Sequence, residues 1–221
     1  MASSFFITGT DTDIGKTWVT VALMRHFSQQ GFNVAGMKPV AAGCEWRSGH
    51  WENNDALMLQ QYATLPFTYQ QINPYAFELP LSPHIACGEV MVEESRILSS
   101  YETMQSQVDR ILVEGAGGWF SPLSQSLDNA RLAQILRLPV IIVVGIRLGC
   151  INHARLTLQA VQAAGVECAG WVAVEIIPDR VDYQANVEYL RGCLHVPLLA
   201  EMPHMVVADF DVLASKFEMC I

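Results

Sequence analysis

Short runs that are apolar at nearly every position alternate along the chain with longer segments whose apolar residues recur every three to four positions. The runs at 4–8, 33–39, 110–114, 140–145 and 170–174 predict β-strands. The periodic segments at 16–30, 53–62, 96–107, 127–136, 152–164 and 183–194 predict α-helices. A run such as "VIIVVG" has no polar face to offer water, as expected of a strand covered on both sides. Strands of this kind in alternation with helices predict an α/β architecture of three layers, a mostly parallel central sheet flanked by helices. With 221 residues, 51% of them hydrophobic, the chain is long enough to bury a substantial core, and a single domain over residues 1–221 is expected.

In such sheets ligands bind beyond the carboxyl ends of the strands. Four of those junctions carry unusual residues: "TGTDTDIGKT", "KPVAAG", "EGAGGW" and "GIRLGCINH". In the first, Gly15-Lys16-Thr17 opens the first helix. Free amides and the positive end of the helix dipole attract phosphate there, Lys16 reaches β- and γ-phosphates, and the Thr17 hydroxyl is a Mg²⁺ ligand. The loop is one residue longer between its glycines than the usual G-x₄-G-K-[ST], with Thr10 in the glycine's place, and it contains Asp11 and Asp13. Carboxylates repel phosphate, so at least one must face metal, water or a cationic group. Asp11 reads as a solvated turn residue, and Asp13, closer to the phosphates, is the better functional candidate.

Lys38 ends the second strand, either as a solvated lysine or as a second cation for a transferring phosphoryl group. Glu114 ends an apolar strand, where an acid lies near a phosphate-bound metal. Asp55 in "NNDALML" is either a second metal carboxylate or one of three helix-capping residues. Asn152 is placed to begin a helix, where it either caps it or, with that helix's free amides, holds a carboxylate, and His153 is read as structural or functional alike. The tryptophans at 18, 46, 51, 119 and 171 show no stacking ladder and are read as packing residues.

Charge narrows the partners. The formal net charge is −9 and the basic residues are scattered, which disfavours nucleic acid as a partner. The opening "MASSFFITG" lacks a basic leader region and no run reaches the length of a membrane span, so a cytoplasmic protein without membrane contact is expected. Six cysteines, at 44, 87, 150, 168, 193 and 220, have no CxxC spacing. They are expected to be reduced, with no zinc site.

Taken together, "FFITGTDTDIGKT", "AGMKPVAAG", "NNDALML", "NPYAFELPLSPHIA", "VEGAGGWFSPLS", "LPVIIVVGIRLGCINHARLT" and "AGWVA" resemble, in order and spacing, the dethiobiotin synthetase family up to about residue 200. The resemblance implies a P-loop NTPase-like fold, a homodimer, and an ATP- and Mg²⁺-dependent cyclo-ligase. In that reaction 7,8-diaminopelargonate takes up CO₂ as a carbamate, receives the γ-phosphate of ATP and closes to a cyclic urea. An acidic residue in the phosphate loop then faces amines. By position, Thr12, Asp13, Lys16 and Lys38 would carry catalysis, and Thr17, Asp55 and Glu114 would surround Mg²⁺. Asp13, Ile14, Gly15, Lys16, Thr17, Glu114, Val174, Glu175, Glu201, Met202 and Pro203 would bind nucleotide. Thr12, Lys38, Ala42, Gly117 and Gly118 would bind substrate, with Gly149, Cys150, Ile151 and Asn152 of the second subunit holding its carboxylate.

Four positions depart from the family pattern. Asp13 stands for glutamate, Ala42 for a hydroxyl residue, Val174 for the asparagine that reads adenine, and Asn186 for a tyrosine that contacts the substrate carboxylate, a role Tyr183 one turn earlier can take. These changes motivate one alternative, a diverged paralogue with another amine or nucleotide. A second alternative is a nucleotide switch of the ParA/MinD type, which places an extra lysine early in the loop where this chain has Thr10 and Asp11. The related amidotransferases of cobalamin synthesis need a further domain for which the chain has no room.

Overall fold

The structure is a computed structural model that describes residues 4–218. Its main sheet has six strands, labelled in chain order: β1 (Phe5–Gly9), β2 (Val34–Met37), β3 (Arg110–Gly118), β4 (Val140–Gly145), β5 (Cys168–Val174) and β6 (Leu198–Met202). They lie side by side as β6-β5-β4-β1-β3-β2, every pairing parallel. The helices α1 (Lys16–Gln29), α2 (Asn54–Tyr62), α3 (Glu94–Gln105), α4 (Asn129–Leu136), α5 (Cys150–Ala163), α6 (Tyr183–Cys193) and α7 (Phe210–Ala214) flank it. Full burial of all six residues of β4 fits a strand covered on both faces. The expected α/β class and mostly parallel sheet are therefore present. No helix among the described residues is long and apolar enough to cross a membrane.

Three differences from the sequence reading have local causes. β6, "LLAEM", was not expected, because its acid at Glu201 interrupts the apolar run; parallel pairing with β5 makes it a strand nonetheless. β3 runs four residues beyond 110–114, through "GAGG". Opposite the step from Ile7 to Gly9, its register moves from Glu114 to Gly118, so the glycine segment bulges where β1 gives way to its loop. α5 begins at Cys150 with Gly149 as its N-cap, φ 92°, so Asn152 is an exposed first-turn residue and not the cap. Outside the main sheet, Val40–Ala41 pairs with Tyr75–Ala76, and Glu45–Arg47 with His50–Glu52. The five cysteines among the described residues are free thiols, and Cys220 lies outside those residues.

β1 sits in the interior of the sheet, between β3 and β4. The chain crosses from β1 to the edge strand β2, returns to insert β3 between them, and then adds β4, β5 and β6 in turn on the other side. The loop after β1 consequently opens at the point where the strand order reverses, above the carboxyl ends of its neighbours.

Candidate functional site

The β1–α1 loop is held from several directions. The Thr10 N–H donates to Val143 O at 3.0 Å, and the Asp11 carboxylate accepts the Thr12 N–H at 2.8 Å. Asp13 takes a left-handed conformation, φ 54°, and its side chain stands exposed. Gly15, φ 88°, turns the chain into α1 and supplies no side-chain cap, which leaves first-turn amides directed at the cleft. A Cβ on Gly15 would lie 3.1 Å from Val174 Cγ1, so the end of β5 packs directly against the loop.

Two ammonium groups are buried at this position. Lys16 is 7% exposed, and its Nζ donates to Asp11 O at 2.7 Å. Lys38, 5% exposed, follows β2 and donates to Glu114 Oε1 at 2.5 Å and to Asp55 Oδ2 at 3.0 Å. Glu114 is fully buried; it also accepts the Thr17 hydroxyl at 2.8 Å, while its Oε2 has no hydrogen-bond partner among the described residues. Lys16, Lys38 and Asp55 are each shifted by burial and by the charges around them. Burial, and after it the Lys38 charge, push Lys16 down to about 8. Burial also opposes the charge on Lys38, but Glu114 and Asp55 overcome it and raise this ammonium above its ordinary value. Burial opposes ionisation of Asp55, and Lys38 outweighs it, holding the carboxyl below the usual range.

Sequence patterns alone do not reveal the framework behind Lys38. Its N–H donates to Ile72 O at 2.8 Å, and its carbonyl accepts Asn73 Nδ2 at 2.6 Å. The Asn73 amide accepts the Tyr69 hydroxyl at 2.8 Å, and that hydroxyl accepts the Asn53 N–H at 2.7 Å. Asn53 in turn caps α2, accepting from the Asp55 and Ala56 amides, so capping falls to Asn53 and leaves the Asp55 carboxylate for Lys38. A parallel device shapes the β3 bulge. Asn129, fully buried, donates to Ala116 O at 2.8 Å and Gly118 O at 2.7 Å, and the Ser121 hydroxyl accepts the Gly118 N–H.

The result is a cleft of about 790 Å³. Thr12, Asp13, Ile14, Gly15, Lys16 and Thr17 line it. So do Lys38, Ala42, Asp55, Glu114 and Gly117, with Asn53, Ser121 and the segment from Pro80 to Pro83. Trp18, expected only to pack, contributes to the lining while its ring meets Phe210 edge-on. Gly118 lies just behind Gly117 with its N–H and carbonyl already bonded. Gly149, Ile151 and Asn152 line a separate surface groove with Arg155 and Leu156, and Cys150 is buried. Glu175, Glu201, Met202 and Pro203 gather at the ends of β5 and β6 and do not line the cleft. There the Glu175 N–H donates to Met202 O, and Arg191 pairs with Glu201. Asn186 is engaged with Asp182 at 2.8 Å.

No cluster of three or more His, Cys, Asp or Glu side chains among the described residues forms a metal cage. The cleft suits a different mode of metal binding. Mg²⁺ takes oxygen ligands, keeps several waters and is held by one or two carboxylates together with substrate phosphates. Asp55, the Thr17 hydroxyl and the unpartnered Glu114 Oε2 supply that chemistry beside the loop.

The "AAA domain" family model matches residues 3–209. The chain is 44% identical over 218 residues to the ATP-dependent dethiobiotin synthetase BioD of Aromatoleum aromaticum, covering 98% of this chain and 97% of that one. It is equally similar, at 44% over 219 residues, to BioD 1 of Salmonella typhi, covering 98% and 96%. Among solved structures it is similar to the MinD cell division protein of Aquifex aeolicus, with TM-score 0.60 over 97% of this chain and 87% of that one. At 15% identity, that likeness shows a shared P-loop fold alone. The loop, the two buried lysines and the full-length identity agree: the chain belongs to the dethiobiotin synthetase family.

Proposed function

We propose that this protein is an ATP-dependent dethiobiotin synthetase, a cyclo-ligase that acts as a single-domain subunit of a cytoplasmic homodimer. The observation that carries the reading is the convergence of Lys16, Lys38, Thr17, Asp55 and Glu114 in one cleft at the uncapped start of α1, in a chain 44% identical to named synthetases. The switch alternative draws only on a fold shared at low identity.

In this reading one amine of 7,8-diaminopelargonate adds to CO₂. The carbamate oxygen takes the γ-phosphoryl group and releases ADP. The second amine then attacks the carbonyl, expelling phosphate and closing the urea ring. The substrate supplies both nucleophiles, so the protein's work is positioning and charge neutralisation. Lys16 leaves Asp11 O to meet the phosphates, and Lys38, already fixed by two carboxylates, holds positive charge against the carbamate and the transferring group. Thr12 and Asp13, exposed on the cleft wall, face the amines. Thr17, Asp55 and Glu114 would hold Mg²⁺, which when bound neutralises phosphate charge. Gly149 and Asn152, on the separate groove, would serve the substrate carboxylate of the second subunit.

Mass spectrometry of a reaction with Mg²⁺, bicarbonate, the diamine and ATP tests this. Substrate that gains one carbonyl and loses two hydrogens, with matched ADP release, is expected. An unchanged diamine under conditions where an established synthetase turns over would overturn the reading. CTP and GTP in parallel report on Val174, whose apolar side chain packs on Gly15 and offers no hydrogen bond to a base; turnover within about tenfold of ATP is expected.

A further inference from the structure

Asp11 is a negative charge built into a loop that receives polyphosphate. It is not a free turn carboxylate: Arg147, from the turn between β4 and α5, donates Nη2 to Asp11 Oδ2. Arg147 itself is held at both ends. Ile146 before it donates its N–H to Val174 O at 2.9 Å, and Cys150 donates its N–H to Arg147 O at 3.0 Å. Asp11 is fixed as firmly, by the Thr12 N–H on Oδ1 and by Lys16 Nζ on its carbonyl. Thus the residue whose carbonyl parks the phosphate-seeking lysine has its own charge covered from a different strand end.

We propose that Arg147 is a positioning residue for nucleotide binding. It neutralises Asp11, so that the loop presents Lys16 and the α1 amides to phosphate without an opposing carboxylate. The inference rests on the reading of this loop as a nucleotide site. Both side chains are about two-fifths exposed, 40% for Arg147 and 42% for Asp11. An ion pair at that exposure adds little to stability, and its consequence falls on the anion nearby. An uncovered unit charge in the same loop as a bound phosphate changes affinity by about three- to fiftyfold, depending on how far solvent screens it. The exposure of the pair places the effect toward the lower end, about fivefold.

The test is calorimetric titration of the full-length protein with ATP and Mg²⁺, in the absence of diamine, at low and high salt. Arg147→Met is expected to bind about fivefold more weakly at low ionic strength, with the gap closing to under about twofold at high salt, where the Debye length shrinks to a few ångströms. Asp11→Asn alone is expected to bind no more weakly than wild type, and the double variant to recover at least half of the loss. Arg147→Lys, which keeps the charge, is expected to stay within about twofold and serves if Arg147→Met does not fold. Wild-type affinity in Arg147→Met overturns the proposal. So does a loss in Asp11→Asn that equals the loss in Arg147→Met, or a double variant that fails to recover, because each outcome points to a mechanical tie in place of charge cover. A wild-type protein that binds no ATP overturns the nucleotide reading and this inference together. ATP binding without diamine turnover overturns only the synthetase reading and leaves this inference standing.

Discussion

Lys16 connects burial to nucleotide affinity in a way that pH can read. Desolvation and the nearby Lys38 hold Lys16 at about 8, well below an ordinary lysine, while Lys38 keeps its proton because its carboxylates raise it. The free protein at pH 7 therefore has Lys16 about 90% charged, and at pH 9 about 10% charged. Phosphate binds the ammonium and not the neutral amine, so ATP affinity should fall about tenfold between pH 7 and pH 9. Bound nucleotide restores the charge, and binding at pH 9 should take up about 0.9 proton per ATP, against about 0.1 at pH 7. Calorimetric titration in buffers of different ionisation enthalpy measures both quantities. Lys16→Arg, which stays charged across this range, should show a flat profile and no uptake. An affinity in the wild type that does not change from pH 7 to pH 9, or uptake that persists in Lys16→Arg, would refute the assignment of the transition to this lysine.

Other outcomes follow from the same contacts. Lys38→Met strands the fully buried Glu114 without its cation and should cost about 3–5 kcal/mol in urea unfolding, with Glu114→Gln in the same chain recovering most of it; equal midpoints for wild type and Lys38→Met would contradict the ion-pair account. Asn129→Ala removes the donor to two carbonyls of the β3 bulge, for an expected loss of about 2–3 kcal/mol and a raised KM for the diamine with less change for ATP; an unaltered KM would mean that the bulge does not shape the substrate site. Gly15→Ala forces an L-residue into φ 88° with its Cβ 3.1 Å from Val174, and should lower stability by about 1–3 kcal/mol and weaken ATP binding, both visible in melting with and without nucleotide.

Much of the site was legible because its residues stand at predictable places. Gly15-Lys16-Thr17 announces itself by spacing, and Lys38 and Glu114 by ending apolar runs. Parallel strands deliver such residues to one edge whatever the details of packing. Asp55 was ambiguous because capping and metal ligation favour the same residue types; Asn53 turned out to take the cap. Arg147, Asn73 and Asn129 were not singled out at all. A single arginine in a turn and single asparagines in ordinary segments carry no local signal, and their partners lie 136, 35, and 13 and 11 positions away along the chain.

The sequence by itself determined the sheet-and-helix alternation, the identity of the phosphate loop and the chemical types brought to it, since these follow from local periodicity and from spacings of a few residues. Tertiary structure alone decided which charges meet. It buried two lysines, pairing Lys38 with Glu114 and Asp55 and setting Lys16 on Asp11 O, lowered one ammonium while raising the other, and covered Asp11 with Arg147. Those outcomes depend on distances and desolvation between strands remote in sequence. Coulomb energies and burial costs are properties of the folded arrangement, and no local pattern along the chain encodes them.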